Sequence, residues 1–170
     1  AADVLNSSSD EDLFRIFRNY CDIQNVGRLV NSVVARRNSS PFGDIADFVD
    51  FLKPFAPINH EIKYYAQVFQ ALRIEVNDDI NSLYDFLSSV PEVLKKGGRM
   101  VIISYHSMED KPVKNLIRTG NVEGRADRNI FGVANLSLKS VTKQVVVPSD
   151  EEVSRNSRAK SAKMRIAERL

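Results

Sequence analysis

The residues Gly97–Asp110, GGRMVIISYHSMED, predict a turn, a buried strand and the start of a helix. Two consecutive glycines suit a turn that follows a helix. The apolar and largely β-branched run Met100–Ile103 is typical of a strand buried on both faces of a parallel sheet. The polar residues that follow would lie at the carboxyl end of this strand, which is the edge of an open α/β sheet where ligands bind.

Four polar side chains beyond the strand are candidates for chemistry: His106, Ser107, Glu109 and Asp110. Ser107 also suits a helix cap, and the two acids suit the first turn of a helix starting near them, a start that Pro112 favours. For His106, the sequence is equally compatible with a structural role and with a substrate contact. His106 and Ser107 make a poor nucleophilic pair, because sequence neighbours rarely present a hydroxyl to the ring in reacting geometry.

Composition limits the class of protein. The chain has 170 residues, 43% apolar and 27% charged, as in a globular protein, and no apolar run approaches the roughly 20 residues that span a membrane. Its single cysteine, Cys21, excludes an internal disulfide and suits a structural role in a reducing cytoplasm. The two histidines and this cysteine do not stand at ligand spacing, so we expect no metal site.

The distribution of charged residues along the chain is more informative than the net charge. Lysines and arginines number 24 and acids 22, and a net charge of +2 does not indicate a nucleic-acid partner. The last segment, however, is rich in basic residues: Arg155, Arg158, Lys160, Lys163, Arg165 and Arg169. This cluster suits either contact with RNA phosphates or an ordinary solvated surface.

The first part of the chain predicts helices and no strand. Ser8 and Glu11 have the spacing of a capping box ahead of an apolar periodic run. A second helix is expected from about Ile23 to Arg37, and a third, short helix begins with Asp44 as its cap. Residues 1–58 are therefore expected to form a compact three-helix unit.

Two longer helices are expected next. The first begins near His60 and carries Arg73 and Asn77 four residues apart, on one face. Asn77 then suits a cap between this helix and an amphipathic helix over residues 80–94.

The end of the chain predicts a loop and two strands. Residues 119–135 are charged, contain glycine and lack periodicity, which indicates a long loop. Residues 139–147 and 160–169 predict two antiparallel strands. The whole pattern is typical of half a doubly wound sheet, but the seven glycines include no Gly-x-Gly, so the usual cofactor cradle is missing.

Several motifs together resemble one family. They are Phe69–Asn77, the stretch Gly97–Asp110, Pro148-Ser149, Arg155-Asn156 and Ser161–Arg169. The resemblance runs over the whole chain and is to the ribosomal RNA small subunit methyltransferase H family, also called the MraW family. Members transfer a methyl group from S-adenosylmethionine to the exocyclic amine (N4) of one cytidine in the decoding region of 16S rRNA.

The resemblance implies an α/β fold: a partial Rossmann-like class I methyltransferase domain with an inserted all-α helical subdomain. Residues 1–68 would be the inserted, substrate-recognition-like subdomain. Residues 69–170 would be the carboxyl-terminal half of the methyltransferase domain. The family's cofactor motifs would precede residue 1. The chain would then contain no cofactor-binding residue, and S-adenosylmethionine would bind only the full-length protein.

The resemblance also implies contacts with 16S rRNA in the small ribosomal subunit. The substrate-binding candidates are Arg73, Glu75, Asn77, Tyr105, Lys160 and Lys163. The chain alone would be an inactive part of the enzyme. The alternative is a non-catalytic RNA-binding or assembly module on the same fold. An apolar strand over residues 100–103 without its neighbours would also favour a homodimer or another association through the strand edge.

Overall fold

The computed structural model of the chain describes residues 1–126, 128 and 134–170. Within them the chain divides into two units, Ala1–Asp79 and Ile80–Leu170. The first is helical and the second combines helices with a small sheet, so the fold is mixed α/β. The sequence suggested a division at residues 68/69. That position lies inside one continuous helix, Glu61–Asn77, and therefore does not separate the two units.

The first unit consists of helices, together with a 3₁₀ turn at Lys53–Phe55. The helices are α1 Ala2–Ser7, α2 Asp10–Tyr20, α3 Val26–Ser39, α4 Ile45–Leu52 and α5 Glu61–Asn77. Asp44 caps α4 as predicted, because its carboxylate accepts a hydrogen bond from the Asp47 N–H. The predicted cap at Ser8 is wrong by one residue, since the hydroxyl of Ser9 accepts from the Asp12 N–H at the start of α2.

Left-handed residues set two further helix ends. Asn25 has a φ of 58° immediately before α3, so this helix begins at Val26 and not near Ile23. Asp78 has a φ of 54° and ends α5. The predicted cap at Asn77 is therefore wrong by one residue, because the chain leaves the helical conformation only after it.

The core of the first unit lies between α2, α3 and α5. Its largest fully buried side chains come from these helices and α4: Leu13, Ile16, Phe17, Leu29, Val33, Leu52, Val68 and Leu72. Burying each such side chain contributes roughly 1.5–3 kcal/mol relative to leaving it in water. This packing buries one face of α5 as far as Ile74, close to the end that carries the candidate residues.

The second unit packs helices against one face of a sheet. Its elements are α6 Asp79–Val93, β1 Arg99–Ser104, α7 Ser107–Thr119, β2 Leu138–Ser140, α8 Asp150–Arg155, a 3₁₀ helix Ser157–Ser161 and β3 Lys163–Arg169. Among the described residues the sheet has three strands in the order β1-β3-β2, and both pairings are antiparallel. Its core comprises Leu87 and Val90 of α6, Val113, Leu116 and Ile117 of α7, and Met100, Leu138 and Ala167 of the sheet.

The predicted strand β1 is present, but the prediction that it lies in a parallel sheet with both faces buried is wrong. In the part of the chain that the structure describes, β1 is an edge strand that pairs only with antiparallel β3. Met100 and Ser104 are buried, whereas Val101 and Ile103 are each 56% exposed. The reason is that α6 and α7 cover one face of the sheet, so alternate side chains of β1 remain outside.

The predicted turn at Gly97-Gly98 is confirmed, and both glycines are required. Gly97 has a φ of 79°, and a Cβ on Gly98 would lie 2.8 Å from the carbonyl oxygen of Lys95. The turn also binds the end of β3, since the Gly97 N–H donates to the Arg169 oxygen and the Arg169 N–H donates to the Gly98 oxygen. It thereby fixes the register of β1 against β3.

The late strands are antiparallel as predicted, with shorter bounds. The strand expected over residues 139–147 ends at Ser140, because the chain leaves the sheet and returns at Val146 to bridge Met164. The final strand begins at Lys163. Part of the loop predicted over residues 119–135 lies outside the described residues.

Candidate functional site

The junction between β1 and α7 is held by Glu109. Its Oε2 accepts hydrogen bonds from the backbone N–H groups of Tyr105 at 3.0 Å and His106 at 3.3 Å. The helix begins at Ser107, with His106 in the capping position, earlier than the start predicted near Glu109. The carboxylate of a third helical residue that reaches back to the cap is the acidic half of a capping box. Glu109 therefore fixes the backbone of this junction.

Three side chains at the junction face solvent. Tyr105 is 50% exposed, and His106 and Ser107 are also exposed. An aromatic ring, an imidazole and a hydroxyl on consecutive residues can stack on a nucleic-acid base and hydrogen-bond its edge. Glu109 pins the backbone of Tyr105 and His106 through their N–H groups.

Asp110 is committed to an ion pair. Its carboxylate is nearly buried and accepts from Arg165 Nε at 2.6 Å and from Arg165 Nη2 at 2.9 Å. Lys163 Nζ lies 3.9 Å from the same carboxylate. The hydrogen bonds from Arg165 lower the pKa of Asp110, despite the opposing effect of burial. Asp110 is thus a charged acceptor that joins α7 to β3.

Sequence reasoning did not single out Arg165 as the partner of Asp110. Lys163, Arg165 and Ala167 alternate along β3, and buried Ala167 shows that this face is the one covered by α7. The alternation indicates that these three residues share one face of β3. The sequence does not show that α7 covers that face, so it could not identify Arg165 as the partner.

The remaining candidates lie elsewhere. Arg73, Glu75 and Asn77 belong to the first unit, at the end of α5. Glu75 binds Arg15 of α2 at 2.6 Å, and Arg73 lies 3.5 Å from Asp79. Lys160 is exposed in the 3₁₀ helix before β3 and makes no ion pair with any residue that the structure describes.

The first unit contains a cleft that the sequence did not reveal. It has a volume of about 430 Å³ and is lined by residues from three separate segments, including Asp22, Arg28, Phe55, Lys63 and Tyr64. The Arg28 guanidinium lies 5.4 Å from the centre of the Phe55 ring. Burial raises the pKa of Tyr64 to about 12, so its hydroxyl stays a neutral donor. Cations beside aromatic rings suit a nucleotide.

The described residues contain neither a cluster of metal ligands nor a membrane-spanning helix. No group of three His, Cys, Asp or Glu side chains there is placed to hold a metal ion. No helix in the same residues combines the length and the apolar character needed to cross a membrane.

Comparison with known proteins gives consistent matches. The model of the MraW methylase family matches residues 1–170. A Parabacteroides distasonis protein named Ribosomal RNA small subunit methyltransferase H is 44% identical over 170 residues, which are 100% of this chain and 56% of that protein. A Cytophaga hutchinsonii protein of the same name is 45% identical over 169 residues, 99% of this chain and 56% of that protein. The chain thus spans about half the length of the curated relatives it matches.

Proposed function

Because the chain belongs to the MraW methylase family, we propose that it is part of an S-adenosylmethionine-dependent methyltransferase of small-subunit ribosomal RNA. The proposed reaction methylates the N4 amine of a cytidine in the decoding region of 16S rRNA. The observation that carries the proposal is the exposed row Tyr105-His106-Ser107 at the carboxyl end of β1, where Glu109 pins the backbone of Tyr105 and His106. Two relatives that match nearly the whole chain are named Ribosomal RNA small subunit methyltransferase H.

The junction residues have distinct proposed roles. Methylation of an amine requires alignment of the base and removal of a proton, without a covalent nucleophile. Tyr105 stacks on the cytidine, and His106 and Ser107 contact its edge. Glu109 and Asp110 act as positioning residues, since their carboxylates bind the backbone and Arg165 respectively.

S-adenosylmethionine supplies the methyl group when it is bound, but the described residues do not fit it. A nucleoside cofactor of this kind needs a glycine-rich backbone cradle and a free carboxylate for the ribose. The carboxylates beside β1 are already engaged, Glu109 by two N–H groups and Asp110 by Arg165. We therefore propose that the cofactor contacts lie outside residues 1–170 and that this chain alone does not methylate RNA.

The helical first unit is proposed to recognise RNA. Its cleft places the cation of Arg28 over the face of Phe55, and Lys63 and Tyr64 line the same space. Such a cleft accommodates an unstacked nucleotide, with phosphate contacts to the cations and a base against the ring. Arg73, Glu75 and Asn77 of α5, and Lys160 and Lys163 of the second unit, are further proposed contacts. The location that suits this substrate is the cytoplasm.

The test is methyl transfer by the whole protein that contains this chain. With small ribosomal subunits and labelled S-adenosylmethionine, nucleoside mass spectrometry should detect N4-methylcytidine. His106→Ala should reduce transfer by roughly tenfold, the effect of losing a hydrogen bond to the base edge worth about 1.4 kcal/mol, and should leave cofactor binding unchanged. Lys111→Gln, an exposed change on α7, is the matched control. Binding of rRNA without any methyl transfer would instead favour a non-catalytic RNA-binding or assembly module.

A further inference from the structure

A small basic pocket lies in the second unit, apart from the β1–α7 junction. It has a volume of about 240 Å³ and is formed by α7, β3 and the segment that follows β2. Four cationic side chains line it: Lys114, Arg118, Lys143 and Arg165. The other lining residues are uncharged, among them Thr142 and Gln144. A concave surface lined by one sign of charge concentrates the potential and attracts the opposite charge.

Each cation is supported by a fixed element. Lys114 and Arg118 are four residues apart on α7, so they project from the same face. Arg165 binds Asp110 through Nε and Nη2, which leaves Nη1 of the same guanidinium for another acceptor. The guanidinium plane is therefore held in place before any ligand arrives.

The segment that carries Lys143 is held at both ends. The Val141 N–H donates to the Ile166 oxygen at 2.9 Å. The Val146 N–H donates to the Met164 oxygen at 3.0 Å. The residues between these two anchors bulge away from β3 and form one wall of the pocket. Lys143 is thus attached to the sheet and does not sit on a free loop.

The positive charge of the pocket is largely uncompensated. Among the described residues, no carboxylate lies within 4 Å of the charged groups of Lys114, Arg118 or Lys143. Asp110 pairs with Arg165 and also attracts Lys163 and Lys114, so this one carboxylate faces several cations. Three cations around one concavity repel each other, and an anion bound between them removes that cost.

The chemistry of the lining suits phosphate oxygens. A guanidinium donates two parallel N–H groups to such an anion, and an ammonium group adds a compact charge. Lys114 is seven residues beyond Ser107, so it lies roughly 10 Å farther along α7 than the junction. Along the helix axis, this separation is within reach of a short RNA strand that has one base at the junction.

We propose that Lys114, Arg118, Lys143 and Arg165 form a binding site for backbone phosphates of the RNA substrate. This inference rests on the proposed function, because it takes RNA as the ligand. It adds a site to that function, one that orients the strand flanking the target base. Free inorganic phosphate would satisfy the same donors, so the test must separate the two sources.

The test measures binding of an oligonucleotide from the decoding region of small-subunit rRNA to the 170-residue chain. Fluorescence anisotropy is recorded from low to moderate salt. Arg118→Gln and Lys143→Gln should each weaken binding by roughly threefold or more, and each should reduce the slope of log K against log salt by about 0.7–0.9. Lys111→Gln, exposed on α7 outside the pocket, should change neither quantity. Circular dichroism confirms that the variants fold.

Three results would overturn the inference. The first is an affinity for RNA and a salt slope in both pocket variants that equal those of the wild-type chain. The second is absence of RNA binding by the wild-type chain. The third is binding of inorganic phosphate in the pocket while both variants bind RNA with wild-type affinity. The first and third results do not bear on methyl transfer by the whole protein, whereas absence of RNA binding would also count against RNA recognition by the helical first unit. The proposed function can therefore stand if the pocket inference fails.

Discussion

Arg165 Nε lies 2.6 Å from Asp110 Oδ1, and its Nη2 lies 2.9 Å from Oδ2, so one two-pronged ion pair joins β3 to α7. Both side chains are largely shielded, at 19% and 9% exposure. The pair has two effects. It fixes the helix that begins at the β1–α7 junction, and it orients the guanidinium toward the basic pocket.

Breaking this pair should destabilise the chain. Asp110→Asn leaves the Arg165 charge shielded from water without its carboxylate, so the free energy of unfolding should fall by about 3 kcal/mol. Urea unfolding measures the loss. Asp85→Asn, exposed on α6, should cost less than about 0.5 kcal/mol. The double variant Asp110→Asn with Arg165→Met should lose less free energy of unfolding than the sum of the losses in the two single variants. Strictly additive losses would contradict the coupling between the two side chains.

The same pair should make stability depend on pH. Arg165 holds the pKa of Asp110 below its ordinary value of 3.8. A carboxyl whose pKa is lower in the folded state contributes its full stability above the ordinary value, and loses it as pH falls through the folded value. The difference in unfolding free energy between wild type and Asp110→Asn should thus be constant from neutral pH to about pH 5 and shrink below about pH 4. A difference unchanged at the lowest pH would contradict this.

Removing the Glu109 carboxylate should loosen the junction. Glu109→Ala deletes the acceptor of the Tyr105 and His106 N–H groups, so their amide hydrogens should exchange faster and stability should fall by about 1 kcal/mol. Glu109→Gln keeps an acceptor oxygen and should retain most of the protection. Glu92→Ala, exposed on α6, is the control. Unchanged exchange at both amides in the alanine variant would refute the proposed clamp.

The thiol of Cys21 should be unreactive in the folded chain. It donates to the Gln67 carbonyl oxygen at 3.2 Å, and burial raises its pKa from 9.0 to about 12. At pH 8 the thiolate fraction should be lower than that of an ordinary cysteine by roughly a thousandfold. Alkylation by iodoacetamide, followed by mass spectrometry, should therefore be slow in buffer and fast in urea. Equal rates in the two solvents would contradict the burial.

The exposed edge and outer face of β1 should promote self-association. Val101 is 56% exposed, and an unpaired apolar edge strand is a template for pairing with another copy. Sedimentation should show that the chain associates as its concentration rises, and Val101→Lys should shift it toward monomer. Val93→Lys, at a 73% exposed position on α6, should not. A wild-type chain that stays monomeric at high concentration would exclude this association.

Local signals were sufficient to predict most elements of this chain. The cap at Asp44 and the turn at Gly97-Gly98 depend on nearby residues, and both are present, as is the predicted final strand. Caps at Ser9 and Asp78 were each missed by one residue. Several neighbours there have suitable side chains, and only the backbone angles choose among them.

The candidate site was predicted only in part for the same reason. Residues 105–110 are contiguous, so the sequence already placed them at the end of a strand. The partnership of Asp110 with Arg165 joins residues 55 apart, and the pocket cations come from three elements. No local sequence pattern predicts which face of a strand a helix distant in sequence will cover.

Periodicity and turn chemistry act within a few residues, and so the chain's own order of amino acids sets its helices, its strands and most of their ends. Burial and charge pairing depend on which layers meet. For this reason only the folded arrangement leaves Val101 in solvent, commits Asp110 to Arg165 and gathers separate lysines and arginines around one concavity.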